Sequence, residues 1–246
     1  MTRRRRYKQG YPLAVLVGIE EKRAVLWRIF SEVAKLDRIL ERRGETEREG
    51  TYDFHESIVN ALRPSLKEGI KSIVIAAPPR TDWTNSLLDH IRKHHAWLIQ
   101  GPDAATFGEL IGSAVEPHQV HELVRTKRFR DVMGETTSRD AENIAATLEK
   151  SLGSNDIGQV VSYSLEEIED LVYGPQEHRL GAAHVVLTDR YFADTKRRGR
   201  ILRLLQISKN MGIKTTIVNA ETKAGLRLSQ LGGLVCLVKP DRKKTR

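Results

Sequence analysis

The chain has 246 residues, of which 39% are hydrophobic and 30% charged, with one cysteine and a formal net charge of +9. This composition can build a hydrophobic core, which excludes a disordered chain, and no run is apolar over the roughly 20 residues of a membrane span. A single cysteine, Cys236, excludes an internal disulfide and a zinc site made of cysteines. We therefore expect a buried thiol in a cytoplasmic protein.

The first half of the chain predicts a mixed α/β domain. Apolar runs and alternation predict three sequential strands at residues 13–19, 24–30 and 33–40. The next ten residues, from Glu41 to Gly50, are nearly all charged and include two glycines, which indicates an exposed loop. After this loop we expect a helix at residues 51–66, a strand at 72–77, a helix at 83–91 and a short strand at 96–100.

Histidines in the first half of the chain give weak evidence for a metal site. His90 and His94 stand four residues apart on a predicted helix, as two ligands on one face would, and His95 follows directly. The sequence shows no third ligand, so we expect surface histidines, with no metal site and no other cofactor. Trp83 and Trp97 could stack on bases, but packing in the core is the favoured interpretation.

The second half predicts alternating helices and strands. Two helices are expected at residues 118–129 and 138–152, and an acidic helix around Glu166. Glycines give clear stop signals, with Gly212 after one helix and Gly232-Gly233 after another. The expected elements are strands at 182–187, 214–218 and 234–238 and helices at 200–211 and 223–231.

Positive charge concentrates at the two ends of the chain, which together account for the whole net charge of +9. Basic tails settle on nucleic-acid phosphates. We therefore predict RNA binding by three sets of residues. These are the tails (Arg3, Arg4, Arg5, Arg6, Lys8, Lys243, Lys244), the charged loop (Arg42, Arg43, Arg48) and the basic helix (Lys196, Arg197, Arg198, Arg200, Arg203). In the helix, like charges repel unless an anion neutralises them, and a solvated helix face is the alternative.

Three segments of the second half carry a family resemblance: GAAHVVLTD at residues 181–189, GIKTTIV at 212–218 and GLRLSQLGGLVCLVKP at 225–240. Their order, with the basic helix between the first two, resembles the C-terminal domain of the archaeal and eukaryotic peptide-release-factor and Pelota superfamily. The resemblance implies an α-β-α sandwich of the kink-turn-binding ribosomal-protein type. The elements of the first half are similar to the ribonuclease-H-like central domain of that superfamily.

The resemblance predicts an α/β protein with four parts. They are a basic tail at residues 1–10, a ribonuclease-H-like domain with a mixed sheet at 11–122, a C-terminal-type domain at 123–240 and a basic tail at 241–246. The superfamily's N-terminal domain has no counterpart before Tyr11, so we expect no decoding of mRNA. Nuclease chemistry is not expected. Nucleases of this fold hold two divalent cations with several carboxylates at strand ends, and in this sequence only Asp37 is suitably placed.

The charged loop departs from the release factors, whose Gly-Gly-Gln reaches the ester between peptide and tRNA. This chain has Gly44-Glu45-Thr46-Glu47 there, and no glutamine lies between Gln9 and Gln100. The resemblance therefore implies a non-hydrolytic ribosome-binding factor, similar to Pelota, in ribosome rescue, quality control or hibernation. Its expected partners are rRNA, tRNA and a translational GTPase or ribosome-splitting ATPase, and the composition favours an archaeal source. The alternatives are a peptidyl-tRNA hydrolase and a structured-RNA-binding module.

Overall fold

The computed structural model describes residues 10–31, 33–42, 47–101, 104–153, 161–174, 181–194 and 196–238. These residues divide into two compact units, the first drawn from residues 1–66 and 70–140 and the second from residues 67–69 and 141–246. The predicted domain boundary between residues 122 and 123 stays a prediction. None of the described helices combines the length and the apolar character needed to cross a bilayer.

The first unit contains a five-stranded mixed sheet. Its strands are β1 (Pro12–Ile19), β2 (Arg23–Phe30), β3 (Ala34–Glu41), β4 (Ser72–Ala77) and β5 (Thr106–Ile111), in the order β3-β2-β1-β4-β5. The pairs β1/β2 and β2/β3 are antiparallel, whereas β1/β4 and β4/β5 are parallel. The two central strands β1 and β4 are almost entirely buried, which explains why both are continuous apolar runs.

Helices cover both faces of this sheet. They are α1 (Glu47–Lys67), α2 (Trp83–His94), α3 (Pro117–Leu123) and α4 (Lys127–Gly153). Successive side chains of a strand point to opposite faces, so β1 contributes to two separate cores. Val15 and Val17 pack with residues of α1 and α2 such as Ile58, whereas Leu16 packs with residues of α3 and α4 such as Phe129.

Two predictions for the first unit were wrong. Residues 96–100 do not form a strand, because Ala96–Leu98 is a turn of 3₁₀ helix and the fifth strand lies at Thr106–Ile111. This strand is at the edge of the sheet and only partly buried, so it lacks the apolar run of a central strand. The predicted loop at residues 41–50 is shorter than expected, since α1 begins at Glu47. Acidic residues are favoured in the first turn of a helix, because its N-terminal end carries partial positive charge.

A third correction concerns the break between the two helices expected at residues 118–129 and 138–152. The break lies at residues 124–126, between α3 and α4, because α4 continues through residues 130–137 as one helix of 27 residues. The residues between the expected helices include Gly134, Thr136 and Thr137, which are poor helix formers. Thr137 Oγ1 instead donates to the carbonyl oxygen of Met133 at 2.7 Å and Thr136 Oγ1 to that of Val132 at 3.1 Å. The hydroxyl groups are thereby satisfied inside the helix, and the helix continues.

The second unit has a four-stranded sheet of β6 (Val161–Ser162), β7 (Ala182–Thr188), β8 (Lys214–Val218) and β9 (Leu234–Val238), in the order β6-β9-β7-β8. Strand β7 is parallel to β8 and antiparallel to β9, and β6 is antiparallel to β9. The helices are α5 (Leu165–Tyr173), α6 (Asp189–Ala193), α7 (Arg198–Asn210) and α8 (Lys223–Gln230). The predicted strands at 182–187, 214–218 and 234–238 and the predicted helices at 200–211 and 223–231 are confirmed to within two residues.

Helices also pack on both faces of this second sheet. Ile168 of α5 and Leu204 of α7 share a core with Leu187 of β7, while Leu228 of α8 shares another with Val186. The predicted stop signal after α8 is confirmed. Gly232 and Gly233 have φ angles of 97° and 83°, a backbone conformation that residues with a Cβ atom rarely adopt. Cys236 is a buried free thiol, as predicted, and burial raises its pKa to about 12.

Candidate nucleic-acid interface

The structure describes six of the predicted RNA-binding side chains: Arg42, Lys196, Arg197, Arg198, Arg200 and Arg203. The others predicted in the tails and the charged loop lie outside the described residues, namely Arg3, Arg4, Arg5, Arg6, Lys8, Arg43, Lys243 and Lys244. Arg48 belongs to the first turn of α1, and its side chain is likewise outside the description. Among the described residues, the candidate interface therefore lies at α7 and the elements next to it.

Three exposed cations, Lys196, Arg197 and Arg198, stand at the N-terminal end of α7. Arg197 is the residue before the helix, and its side chain does not cap it; it donates instead to the hydroxyl of Tyr191 at 3.2 Å. The N-terminal end of a helix carries partial positive charge, so cations there oppose its stability. The same arrangement concentrates positive potential where free backbone N–H groups can bind an anion. We call these three residues the basic end of α7.

Arg200 and Arg203 behave differently, because both contact helix α5. Arg200 Nη2 lies 2.6 Å from a carboxylate oxygen of Glu169, and its Nη1 lies 3.7 Å from Glu166. The hydrogen bond from Arg200 holds the pKa of Glu169 below its ordinary value. The Arg203 guanidinium carbon lies 5.4 Å from the centre of the Tyr173 ring. Intramolecular partners thus engage both arginines, and the five-residue patch predicted from the sequence is divided into two parts.

Arg42 is a half-buried residue that ties two elements of the first unit together. Its backbone N–H donates to the carbonyl oxygen of Lys22 at 2.8 Å, and its Nη2 donates to Thr51 Oγ1 at 2.6 Å. It also borders a cavity of about 250 Å³ lined in part by the acidic residues Glu20, Glu21 and Asp82. These contacts favour a structural role for Arg42 at the start of α1 over direct contact with phosphate.

A second group of cations, which the sequence reasoning missed, surrounds the start of α4 in the first unit. Arg125, Lys127, Arg128 and Arg130 are all exposed. Thr126 begins the helix, since its Oγ1 accepts from the backbone N–H of Phe129 at 3.1 Å. The run RTKRFR at residues 125–130 was the signal that could have identified this group.

The structure also describes Asp37, which was considered above only to reject nuclease chemistry, and the tryptophans Trp83 and Trp97. Asp37 forms an ion pair with Arg28, Nε to Oδ1, at 2.9 Å in the middle of β2 and β3. Trp83 packs in part against the core, as expected. The prediction of core packing is wrong for Trp97, which is 44% exposed and lies under the guanidinium group of Arg63 at 5.1 Å.

The histidines form a cluster that the sequence did not predict. His90 and His95 are buried rather than exposed, so the expectation of surface histidines is wrong for both. Their Nε2 atoms lie 3.2 Å and 2.6 Å from the same oxygen, Oε1 of Glu56 in α1. The sequence did not reveal this cluster for two reasons. Glu56 is 39 residues from His95 in the chain, and the second buried histidine is His95, not His94, which helical spacing pairs with His90.

Charge in this cluster follows from burial and hydrogen bonding. Burial lowers the pKa of His90 although the Glu56 carboxylate opposes that effect. Burial favours the neutral form of Glu56, but the hydrogen bonds and the electrostatic interactions with His95 and His90 outweigh burial and lower the pKa of the carboxyl group. His55, whose ring centre lies 5.2 Å from that of His90, has its pKa lowered to about 4 by burial and by the charges of His90 and Arg42.

In comparisons with known proteins, no family model matches the chain, and no curated protein matches it in sequence. Solved structures do match. A model of ribosome-bound archaeal Pelota and ABCE1 is similar over 93% of this chain, with a TM-score of 0.54 and 14% identity. Dom34 of S. cerevisiae, described as a translation termination-like factor interacting with Hbs1, is similar over 98%, with a TM-score of 0.49 and 17% identity.

Archaeoglobus fulgidus Pelota is similar over 96% of this chain, with a TM-score of 0.40 and 19% identity. The chain spans between 62% and 66% of the length of these three structures. The archaeal Pelota of the ribosome-bound model, with its TM-score of 0.54, confirms in fold the resemblance predicted from the sequence motifs. Over 93% of its length, the chain is similar in fold to that archaeal Pelota.

Proposed function

We propose that this protein is a non-hydrolytic ribosome-binding factor of the Pelota type, which acts on cytoplasmic ribosomes in rescue, quality control or hibernation. The observation that carries the proposal is the basic end of α7, three exposed cations at an uncapped helix N-terminus, on a fold similar to that of archaeal Pelota. In this proposal these cations bind phosphates of rRNA or tRNA, and the cations around the start of α4 form a separate RNA contact of the first unit.

The proposal includes a finer description of the two parts of the chain. Residues 11–122 would be a ribonuclease-H-like central-type domain, supported by a sheet whose first three strands are antiparallel neighbours and whose last two are added in parallel. Residues 123–240 would be an α-β-α sandwich of the kink-turn-binding type, supported by helices on both faces of the second sheet. Fold alone does not determine activity, so the functional claim depends on the charged surface.

The ion pairs of the second unit predict which of its cations bind phosphate. Binding by Arg200 would require it to leave Glu169, whereas Lys196 and Arg198 have no ion pair among the described residues. Each phosphate that a cation neutralises contributes about −0.7 to −0.9 to the slope of log affinity against log salt concentration. Removing the three charges of the basic end should therefore reduce the slope by about 2 to 3, and removing Arg200 should change it little.

Peptide release is not part of the proposal, because the loop lacks a glutamine that could help place a water at the ester bond. Glu47, the last residue of the sequence that stands in place of Gly-Gly-Gln, is the first residue of α1. The rival hypothesis of a peptidyl-tRNA hydrolase predicts release of peptide from a stalled ribosomal complex, with loss of activity in Glu45→Ala or Glu47→Ala.

Partners of the similar structures suggest the partners of this chain. Dom34 is described as interacting with Hbs1, and archaeal Pelota as bound to the ribosome with ABCE1. We propose that this chain likewise works with a translational GTPase or a ribosome-splitting ATPase. Addition of either class of protein, with its nucleotide, should increase the fraction of the chain that sediments with ribosomes or their subunits.

The test is co-sedimentation of the full chain with ribosomes and with separated subunits across a salt series. The key variant, Lys196→Glu/Arg197→Glu/Arg198→Glu, reverses the charge of the basic end of α7. A matched control with the same change of net charge reverses the charge of three exposed lysines that are far apart in the sequence, Lys22, Lys93 and Lys223. Circular dichroism of both variants establishes that each is folded.

We expect binding that saturates at one copy per ribosome at physiological salt, is lost in the key variant and is kept in the control. Binding that free structured RNA competes away equally would support the RNA-binding module instead. Equal loss in both variants would mean that net charge alone attracts the chain to RNA, and the proposed site would be wrong.

A further inference from the structure

We propose that Glu56, His90 and His95 form a binding site for Zn²⁺ in the first unit. Two imidazole nitrogens and one carboxylate oxygen converge there, and the three ligand atoms all lie within 4.8 Å of one another. Two histidines and one glutamate are a ligand set found in zinc proteins, with a fourth position left for water. The sequence predicted no metal site, because the third ligand, Glu56, lies 39 residues from His95 in the chain.

The distances suit a small cation after a modest movement. Tetrahedral zinc with bonds of about 2.0 to 2.2 Å separates its ligand atoms by about 3.3 Å. The Glu56–His90 separation is already 3.2 Å, while the Glu56–His95 separation of 2.6 Å must open. Rotation of the Glu56 side chain, which is 25% exposed, can provide this opening. The hydrogen bonds that now join both rings to Glu56 Oε1 would be replaced by bonds to the metal.

The end of helix α2 explains why these residues converge. His90 lies on the inner face of α2, and α2 ends at His94. His95 is the first residue beyond the helix, with φ of −133° and ψ of 47°, and its side chain is buried while that of the intervening His94 is exposed. A regular helix would have presented His90 and His94 together, so the irregular residue creates the pair.

Burial and access fit a metal site as well. The side chains of His90 and His95 are only 6% and 10% exposed, which holds the ring positions, whereas Glu56 faces solvent in part. The rings of Tyr52 and His94 lie 5.0 Å and 4.9 Å from that of His90 and flank it on the outer side. A cation can therefore enter past Glu56, and once bound it would link α1 to the end of α2.

The test uses the purified full chain, freed of metal with a chelator, and Zn²⁺ alone as the probe. We expect one Zn²⁺ per chain in competition with a chromophoric chelator, together with a rise in the melting temperature. Co²⁺ in the same site should give the intense visible absorption of tetrahedral coordination. Glu56→Gln and His95→Gln should each weaken binding by more than the roughly 10- to 100-fold that loss of an outer hydrogen-bond partner costs.

His94→Gln is the matched control, since it removes the exposed neighbouring histidine and leaves the three ligands intact; it should bind Zn²⁺ as the wild type does. Glu56→Gln keeps the volume of the side chain, and its circular dichroism shows whether the variant is folded. Two results would overturn the proposal: no stoichiometric binding by the wild type, or stoichiometric binding that survives in folded Glu56→Gln and His95→Gln. Metal binding by the free protein is independent of the ribosome experiment.

Discussion

Gly18, the second-last residue of strand β1, provides a sharp test of the packing in the first unit. A Cβ atom at this position would lie 2.9 Å from the Cα of Ala114 and closer still to its carbonyl carbon and oxygen. The same carbonyl oxygen accepts a buried hydrogen bond of 2.7 Å from Trp27 Nε1. Gly18→Ala must therefore displace backbone, and the displacement breaks or distorts the contact with the indole.

The cost can be calculated from its parts. Overpacking in a core costs about 1 to 3 kcal/mol, and a buried donor left without a partner costs about 1 to 3 kcal/mol. Alanine recovers about 0.5 to 1 kcal/mol in a strand, because glycine loses more conformational freedom on folding. We expect a net loss of about 3 kcal/mol in the free energy of unfolding, or a fall in melting temperature of about 6 to 12 °C for a protein of this size.

Urea denaturation followed by tryptophan fluorescence is the assay, since all three tryptophans, Trp27, Trp83 and Trp97, belong to the first unit. Gly134→Ala is the control: no atom lies within 4 Å of the added Cβ in helix α4, so it should stabilise by about 0.5 to 1 kcal/mol. In a Trp27→Phe background, the cost of Gly18→Ala should be smaller, because no indole N–H remains to lose its partner. A Gly18→Ala variant within about 0.5 kcal/mol of wild type would refute the reasoning.

Two further predictions concern titratable groups. Burial raises the pKa of Asp140 from 3.8 to about 7, against the positive charge of Lys71. The folded state thus keeps a proton that the unfolded state releases, and this stability is lost as the pH rises through about 7. Asp140→Asn should stabilise by up to about 4 kcal/mol near pH 8, at 1.36 kcal/mol per pKa unit, and by little near pH 4; urea titrations with equal effects at both values would contradict this. Cys236, whose pKa burial raises to about 12, should react with a thiol reagent only on unfolding, and rapid stoichiometric labelling of the native protein would disprove its burial.

The sequence alone was sufficient for the elements whose burial is uniform. Strands β1, β4 and β9 are apolar throughout because both of their faces are covered, and a pattern of this kind is local. Helices with glycine stop signals, such as α8, were equally predictable. Edge strand β5 was missed because it is only partly buried and so lacks a continuous apolar run. It also contains Gly108, which allows helix α4 to pack closely: a Cβ atom at this position would lie 2.7 Å from the side chain of Val132.

The candidate sites depended on tertiary structure to a greater extent. The sequence identifies a run of cations before and within α7, but it cannot say which of them have an internal anion. Arg200 is neutralised by Glu169, 31 residues away, while the basic end of α7 remains exposed. Likewise, Glu56 and His95 are 39 residues apart in the chain and in hydrogen-bond contact in the fold. Periodicity predicts which residues share a face of one element, whereas the meeting of side chains from two elements follows only from how those elements pack.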